Sequence, residues 1–269
     1  MTQPTGFQLS GSGPERYEKF VSRIMAPFVA AVLAAAELTE GESVLDLACG
    51  TGFAAREAKG SVGSTGRVVG FDVNPGMIEM ARKMSDAMSI EWFVGSAGEV
   101  PVNDASVDVI VCQQGMQFFP DLPRALQDAV RVLRPAGRFV ATAWAPFDRS
   151  PYLHAQGEAI QTILGEQAFA SFQAAAALSA ESLLAAMEVA GFVDVQTSEI
   201  AGLVVLDSFI AFAAGHLSAL PWGAQLAERG DDAIPQAVSI IADRLKEQIA
   251  ADGSLTTTLV STLVSARLR

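Results

Sequence analysis

The sequence predicts an α/β protein: a doubly wound, mostly parallel sheet of seven strands with helical cap insertions. Three observations point there. From Ser43 onward, short apolar segments alternate with segments of helical periodicity, the pattern of βαβ units with right-handed crossovers. The apolar segments are nearly continuous, as strands covered on both faces are. A glycine-rich turn, Gly50-Thr51-Gly52-Phe53-Ala54-Ala55, separates the first apolar run from the helix that follows it.

The elements follow in order. Residues 1–14 are rich in Gly, Ser and Pro and read as a loose segment. Periodicity over Glu15–Leu38 predicts one helix, ended by Thr39-Glu40-Gly41-Glu42. Ser43–Cys49 (SVLDLAC) reads as a buried strand and Phe53–Lys59 as a helix. A second strand follows at 67–73. The next helix has Pro75 at its first position and Met77, Ile78, Met80 and Ala81 as its apolar stripe. Strands at 89–95 and 107–114 precede a helix over Leu122–Leu133, which stops at Arg134-Pro135-Ala136-Gly137. A fifth strand covers 137–144. Ser179 can cap a helix that runs to Ala190, with Glu181 in its first turn and Gly191 as its stop. Residues 193–200 and 255–268 complete the strands, the last rich in Thr and Val. The segments between are mostly helical and fall outside the alternation.

Composition narrows the function. Half of the 269 residues are hydrophobic, enough for a large core. Acids outnumber bases, 30 to 18, for a net charge of −12. Nucleic acid and anionic membrane are therefore poor partners, since both need clustered Lys and Arg. The start of the chain lacks the pattern of a signal peptide. The longest apolar run, Ala26–Ala36, is broken by Pro27 and too short to span a bilayer. A soluble, cytoplasmic protein is expected. Cys49 and Cys112 are the only cysteines and each ends an apolar run, so both read as reduced, packed thiols. No His/Asp/Glu spacing suggests a metal.

The glycine turn fits the pattern G-x-G-x-x-A between strand and helix, and Asp72 lies 20 residues beyond Gly52, at the end of the second strand. That is the arrangement for an adenosine ribose. Two ligand types carry one. A dinucleotide puts a pyrophosphate over the turn; S-adenosylmethionine puts a cationic methionine tail there. Asp46, four residues before Gly50, discriminates between them. At ~4–6 Å and an effective dielectric near 20 it would repel a phosphate by about 3–4 kcal/mol and attract an ammonium by as much.

The segments VLDLACGTG, VVGFDVNPGM, GSAGEVPVNDASVDVIVCQQGMQFFPD and ALQDAVRVLRPAGRFVATAW, over roughly residues 40–145, resemble class I S-adenosylmethionine-dependent methyltransferases of the UbiE-like small-molecule kind. The resemblance implies a Rossmann-like sheet, methyl transfer, and S-adenosyl-L-homocysteine as the product. It implies that Gly50 and Gly52 line the methionine tail, with Ala48 contributing backbone contacts. Asp72 would hold the ribose, Val73 and Met77 would lie against the adenine, Ser96 and Ala97 would sit at its edge, and Gln113 would face the tail. Many relatives have Asp where this chain has Ser96. The chain then divides into an N-terminal helical lid (1–40), a cofactor-binding core (41–145), cap insertions (146–178 and 202–254) and segments completing the sheet (179–201 and 255–269).

Methyl transfer from a sulfonium needs positioning above all, and a base only where the acceptor must lose a proton. No Asn/Asp-Pro-Pro-Tyr follows the fourth strand, where Gln113-Gln114-Gly115-Met116 stands; the resemblance therefore disfavours nucleobase and protein-glutamine acceptors. Tyr17, His154 and His216 are the candidate catalytic residues. Trp144, Phe147 and Trp222 are candidate walls for a small, partly hydrophobic acceptor, whose methylated atom (O, N or C) stays open. An NAD-dependent oxidoreductase and a cofactor-binding module without transferase activity are the alternative readings.

Overall fold

The computed structural model describes Leu9 and residues 11–269. The loose segment expected over 1–14 falls mostly outside the described residues, and from Gly13 the chain is helical.

Seven strands, β1 (Ser43–Leu47), β2 (Arg67–Asp72), β3 (Glu91–Val94), β4 (Val107–Gln113), β5 (Leu133–Trp144), β6 (Phe192–Leu206) and β7 (Leu255–Leu268), form one sheet in the order β3-β2-β1-β4-β5-β7-β6. The pairs β1–β2, β1–β4, β2–β3 and β4–β5 are parallel. β7 runs antiparallel between β5 and β6. Every residue of β1 is buried, as a central strand covered on both faces requires. The chain winds outward from β1 to β3, then returns to lay β4 on the other side of β1. That reversal opens a crevice beyond the carboxyl ends of β1 and β4, where open α/β sheets take their ligands.

The crossover helices are α3 (Phe53–Val62), α4 (Pro75–Met84), α5 (Leu122–Val132) and α8 (Ala180–Ala190). In α4 the buried residues are Met77, Ile78, Met80 and Ala81, and the Asn74 side chain caps the helix by accepting from the Gly76 and Met77 amides. In α8 the Ser179 side chain caps the Ser182 amide and Gly191 closes the helix in the left-handed region.

Three expectations are corrected. The helix expected over Glu15–Leu38 is two helices, α1 (Gly13–Phe20) and α2 (Ser22–Ala36), bent by 66° at Val21. They serve different surfaces: α2 lies over β4 and β5, whereas α1 turns away to pack on α9 (Phe209–Ala219) and α4. The sixth strand does not stop at 200; β6 runs to Leu206, paired with β7 without a break from Gln196 onward, so residues 202–206 extend the sheet. The fifth starts earlier, because Leu133 already pairs with Val107 across a register shift.

The remaining helices, α6 (Pro151–Leu164), α7 (Glu166–Ala174), α10 (Trp222–Glu228) and α11 (Ala233–Arg244), join α9 and α1 above one end of the sheet. Their shared core includes Ile24, Phe28, Tyr152, Phe172, Phe209 and Trp222. Cys49 and Cys112 are buried and unpaired in disulfides. Among the described residues no single helix is long and apolar enough to cross a membrane, and no cluster of His, Cys, Asp and Glu could hold a metal ion.

Candidate active site

The turn after β1 is held from two sides. The Gly50 amide donates to Asp72 Oδ2 at 2.8 Å, and the other oxygen of Asp72 accepts from the Asn74 amide at 2.8 Å. Burial pushes the Asp72 carboxyl up, against the pull of these amides. From above, Glu18 of α1 accepts from the Thr51 hydroxyl and from Ser22 Oγ and pairs with Arg56 of α3 at 3.1 Å. Arg56 also donates to the Thr51 carbonyl. One carboxylate thus ties α1, the turn and α3 together.

The two glycines do different work. Gly50 has φ +55 and a Cβ there would meet nothing within 4 Å, so its open face borders the cavity. Gly52 has φ +81, but a Cβ there would come within 2.3 Å of the Trp92 ring. It lets the turn close on β3 and does not line the cavity, contrary to the role expected for it.

Asp46 sits at 1% exposure beneath this turn. Neither carboxylate oxygen has a hydrogen-bond partner in normal geometry, although the Ala55 amide is near enough to favour its charge. Burial pushes its pKa up to about 7; Ala55 and Arg56 oppose that rise and Asp72 adds to it.

Above the carboxyl ends of the strands lies a cavity of ≈ 1260 Å³, counting its open mouth. Its sheet end is lined by Ala48, Gly50, Asp72, Val73, Met77, Ser96, Ala97 and Gln113. Tyr17 descends from α1 into the same space; burial, with Asp72 and Glu18 nearby, keeps its hydroxyl protonated. A smaller side cavity of ≈ 360 Å³ is lined by Asp46, Thr51 and Ser22 and shares Tyr17, Ala48, Gly50 and Gln113 with the first. Asp46 therefore faces the side chamber under the turn, not the main space.

The cap end is aromatic. Trp144, Phe147, Phe172 and Trp222 follow one another with ring centroids 6.4, 4.5 and 5.2 Å apart, and all four line the cavity. His216 lines it too, at 2% exposure, stacked on Phe212. Its Nδ1 lies 2.8 Å from the hydroxyl of the fully buried Tyr152. The pairing that leaves no hydroxyl proton unused has Tyr152 donating to Nδ1, which places the ring proton on Nε2. Burial lowers the His216 pKa to about 3, so the ring is neutral. In that tautomer Nε2 can donate to its surroundings. His154 is not in the site: its side chain is more than half exposed, 4.0 Å from Glu158, and lines neither cavity. It lies on the outer face of α6, away from the buried Tyr152, Leu153 and Gln156.

Three residues of the site escaped the sequence reading. Phe172 completes the aromatic wall, Glu18 clamps the turn, and Gln156 lies fully buried in the lining. Gln156 had a signal: it stands one turn after Tyr152 in the apolar stripe of α6, where a long amide is out of pattern.

An adenosyl cofactor with a cationic tail fits these residues. The open face of Gly50 admits a close approach, Asp72 keeps acceptor capacity, and the buried Asp46 carboxylate has no hydrogen bond of normal geometry, so a cation beside it would be favoured. Residues 45–141 match the family described as a methyltransferase domain. An arsenite methyltransferase of Halobacterium salinarum is 41% identical over 106 residues, 38% of this chain and 27% of that protein. A demethylmenaquinone methyltransferase of Lactococcus lactis is 38% identical over 103 residues, 37% of this chain and 41% of that protein. The chain thus spans less than half the length of these curated relatives. Among solved structures, a Haemonchus contortus phosphoethanolamine N-methyltransferase, in complex with S-adenosylhomocysteine and phosphomonomethylethanolamine, superposes with a TM-score of 0.61. It covers 96% of this chain and 57% of its own at 18% identity, a likeness of fold.

Proposed function

We propose that this protein, whose core is a class I S-adenosylmethionine-dependent methyltransferase domain, transfers a methyl group to a small, partly hydrophobic acceptor held beneath its caps. The observation that carries the reading is Asp46: a carboxylate at 1% exposure beside a glycine turn, with no hydrogen bond of normal geometry and only the Ala55 amide and Arg56 near enough to favour its charge. A phosphate there would add repulsion, whereas an ammonium supplies the missing partner. That contrast disfavours a dinucleotide and with it the oxidoreductase reading.

When bound, S-adenosylmethionine supplies an electrophilic methyl on a sulfonium whose departure leaves a neutral thioether. The chain's own residues position the reactants. Asp72 offers its remaining lone pairs to ribose hydroxyls, and Val73 and Met77 give an apolar face for a base. Ser96 offers a hydroxyl and Ala97 its backbone at the base's edge. Asp46 and the turn amides hold the amino-acid end, with Gln113 facing it. Trp144, Phe147, Phe172 and Trp222 orient a flat acceptor and keep water from the methyl. Neutral His216 donates from Nε2, and Tyr17 holds its proton, so neither takes one up at the start of the step. Alignment therefore provides most of the acceleration. A small acceptor also suits a chain of net charge −12, which offers nucleic acid little.

The experiment is incubation with S-adenosylmethionine carrying a labelled methyl and a metabolite extract, followed by mass spectrometry. Label on a small molecule, dependent on Asp46, supports the reading. Tight S-adenosylhomocysteine binding with no transfer to any small molecule favours the binding-module alternative.

A further inference from the structure

We propose that Gln156 sets acceptor choice, and that the cap end of the cavity takes an uncharged ring compound carrying a hydrogen-bond donor and acceptor side by side, as a primary carboxamide does. This rests on the methyltransferase reading and goes further, to the class of acceptor. Gln156 is 0% exposed, lines the cavity, and has no hydrogen-bond partner for either amide atom among the described residues. Its neighbours on α6, Tyr152 and Leu153, are apolar surfaces, with the Tyr152 hydroxyl already engaged by His216. An amide buried without partners costs a few kcal/mol, on the order of 1–3 by mutation. A ligand that presents a matching pair removes that cost on both atoms at once, whereas one with a single polar atom leaves half of it.

Charge narrows the class. Among the described residues, no Lys or Arg lines either cavity, and the only carboxylates are Asp72 and Asp46 at the sheet end. An acidic acceptor would lose its water without meeting a cation, and a basic one would find no anion at the cap end. The aromatic wall supplies the remaining contact for a flat ring.

The test uses the full chain saturated with S-adenosylhomocysteine and four matched probes: 2-naphthamide, 2-naphthoate, methyl 2-naphthyl ketone and naphthalene. Binding is followed by calorimetry. The expected result is that 2-naphthamide binds about tenfold or more tighter than each of the others, since a site built to pair polar groups rejects analogues that lack them. Gln156→Leu and Gln156→Met should both compress the series to within about twofold, with S-adenosylhomocysteine affinity unchanged on that same scale. The melting temperature should hold or rise, because an unpaired amide has gone. Lack of preference in the wild type, or a preference that survives both variants, overturns the proposal. So does a loss of stability in both, which would make Gln156 a structural residue. If the wild type fails to bind S-adenosylhomocysteine at all, the methyltransferase reading itself has failed.

Discussion

The Gly50 amide and Asp72 Oδ2 are hydrogen-bonded at 2.8 Å, so the turn after β1 and the acid at the end of β2 form one unit. Asp72 both shapes the turn and faces the cavity. Replacing it by Ala removes the acceptor for Gly50 and Asn74 together with the proposed ribose contact. S-adenosylhomocysteine should bind more weakly by about 2 kcal/mol or more, the scale of charge-assisted hydrogen bonds. Asp72→Asn, which keeps one acceptor oxygen, should recover part of the loss. Unchanged affinity of the Ala variant in calorimetry would remove Asp72 from the site.

The two glycines should separate binding from folding. Gly50→Ala places a methyl into open space at a cost of about 1–2 kcal/mol for the left-handed backbone. It should leave a folded protein that binds S-adenosylhomocysteine poorly. Gly52→Val drives a side chain into Trp92 and should lower the melting temperature markedly. Thermal melts and titrations of both variants check this; a Gly52→Val protein as stable as wild type would contradict the packing role.

Asp46 sets a pH dependence with a definite sign. Its folded pKa, about 7, stands above the ordinary 3.8. Below 3.8 the carboxyl is protonated in both states and costs nothing. As pH rises toward 7 the unfolded chain ionises and the folded one resists, so the ligand-free protein loses stability until the folded pKa is passed. Asp46→Asn should therefore melt higher than wild type near pH 8, with the gain vanishing near pH 4. Ligand binding should run the other way, with S-adenosylhomocysteine affinity rising between about pH 6 and 8 in wild type and flat in the variant. A variant less stable than wild type near pH 8 would count against the account.

The caps should govern the acceptor and the sheet the cofactor. Trp222→Ala opens the aromatic wall beside Phe172. Acceptor turnover should fall while S-adenosylhomocysteine affinity moves by less than about 1 kcal/mol. The reverse pattern would refute that division of labour.

The parallel half of the sheet was legible because β1, β2 and β4 are short apolar runs and the crossover helices bury stripes at helical spacing. Met77, Ile78, Met80 and Ala81 are the plainest case. The bend at Val21 was not legible, since helical periodicity continues across it; what bends the chain is the demand of two surfaces, α9 for α1 and the sheet for α2. Gly52 reads as a ligand glycine from its pattern, but its reason is Trp92, forty residues away and brought close only by the pairing of β2 with β3. Gln156 and Phe172 belong to cap helices whose sequence has no motif, and only the cavity reveals what they share.

The proposed occupant of the space beside Asp46 and Gly50 is an adenosyl ligand with a cationic tail. Calorimetric titration of the wild-type protein with S-adenosylhomocysteine and, in parallel, with NAD decides between that occupant and a dinucleotide. S-adenosylhomocysteine should bind saturably at one site per chain, weakened by Asp46→Asn, and NAD should show no measurable binding. Saturable binding of NAD with none of S-adenosylhomocysteine would contradict that reading.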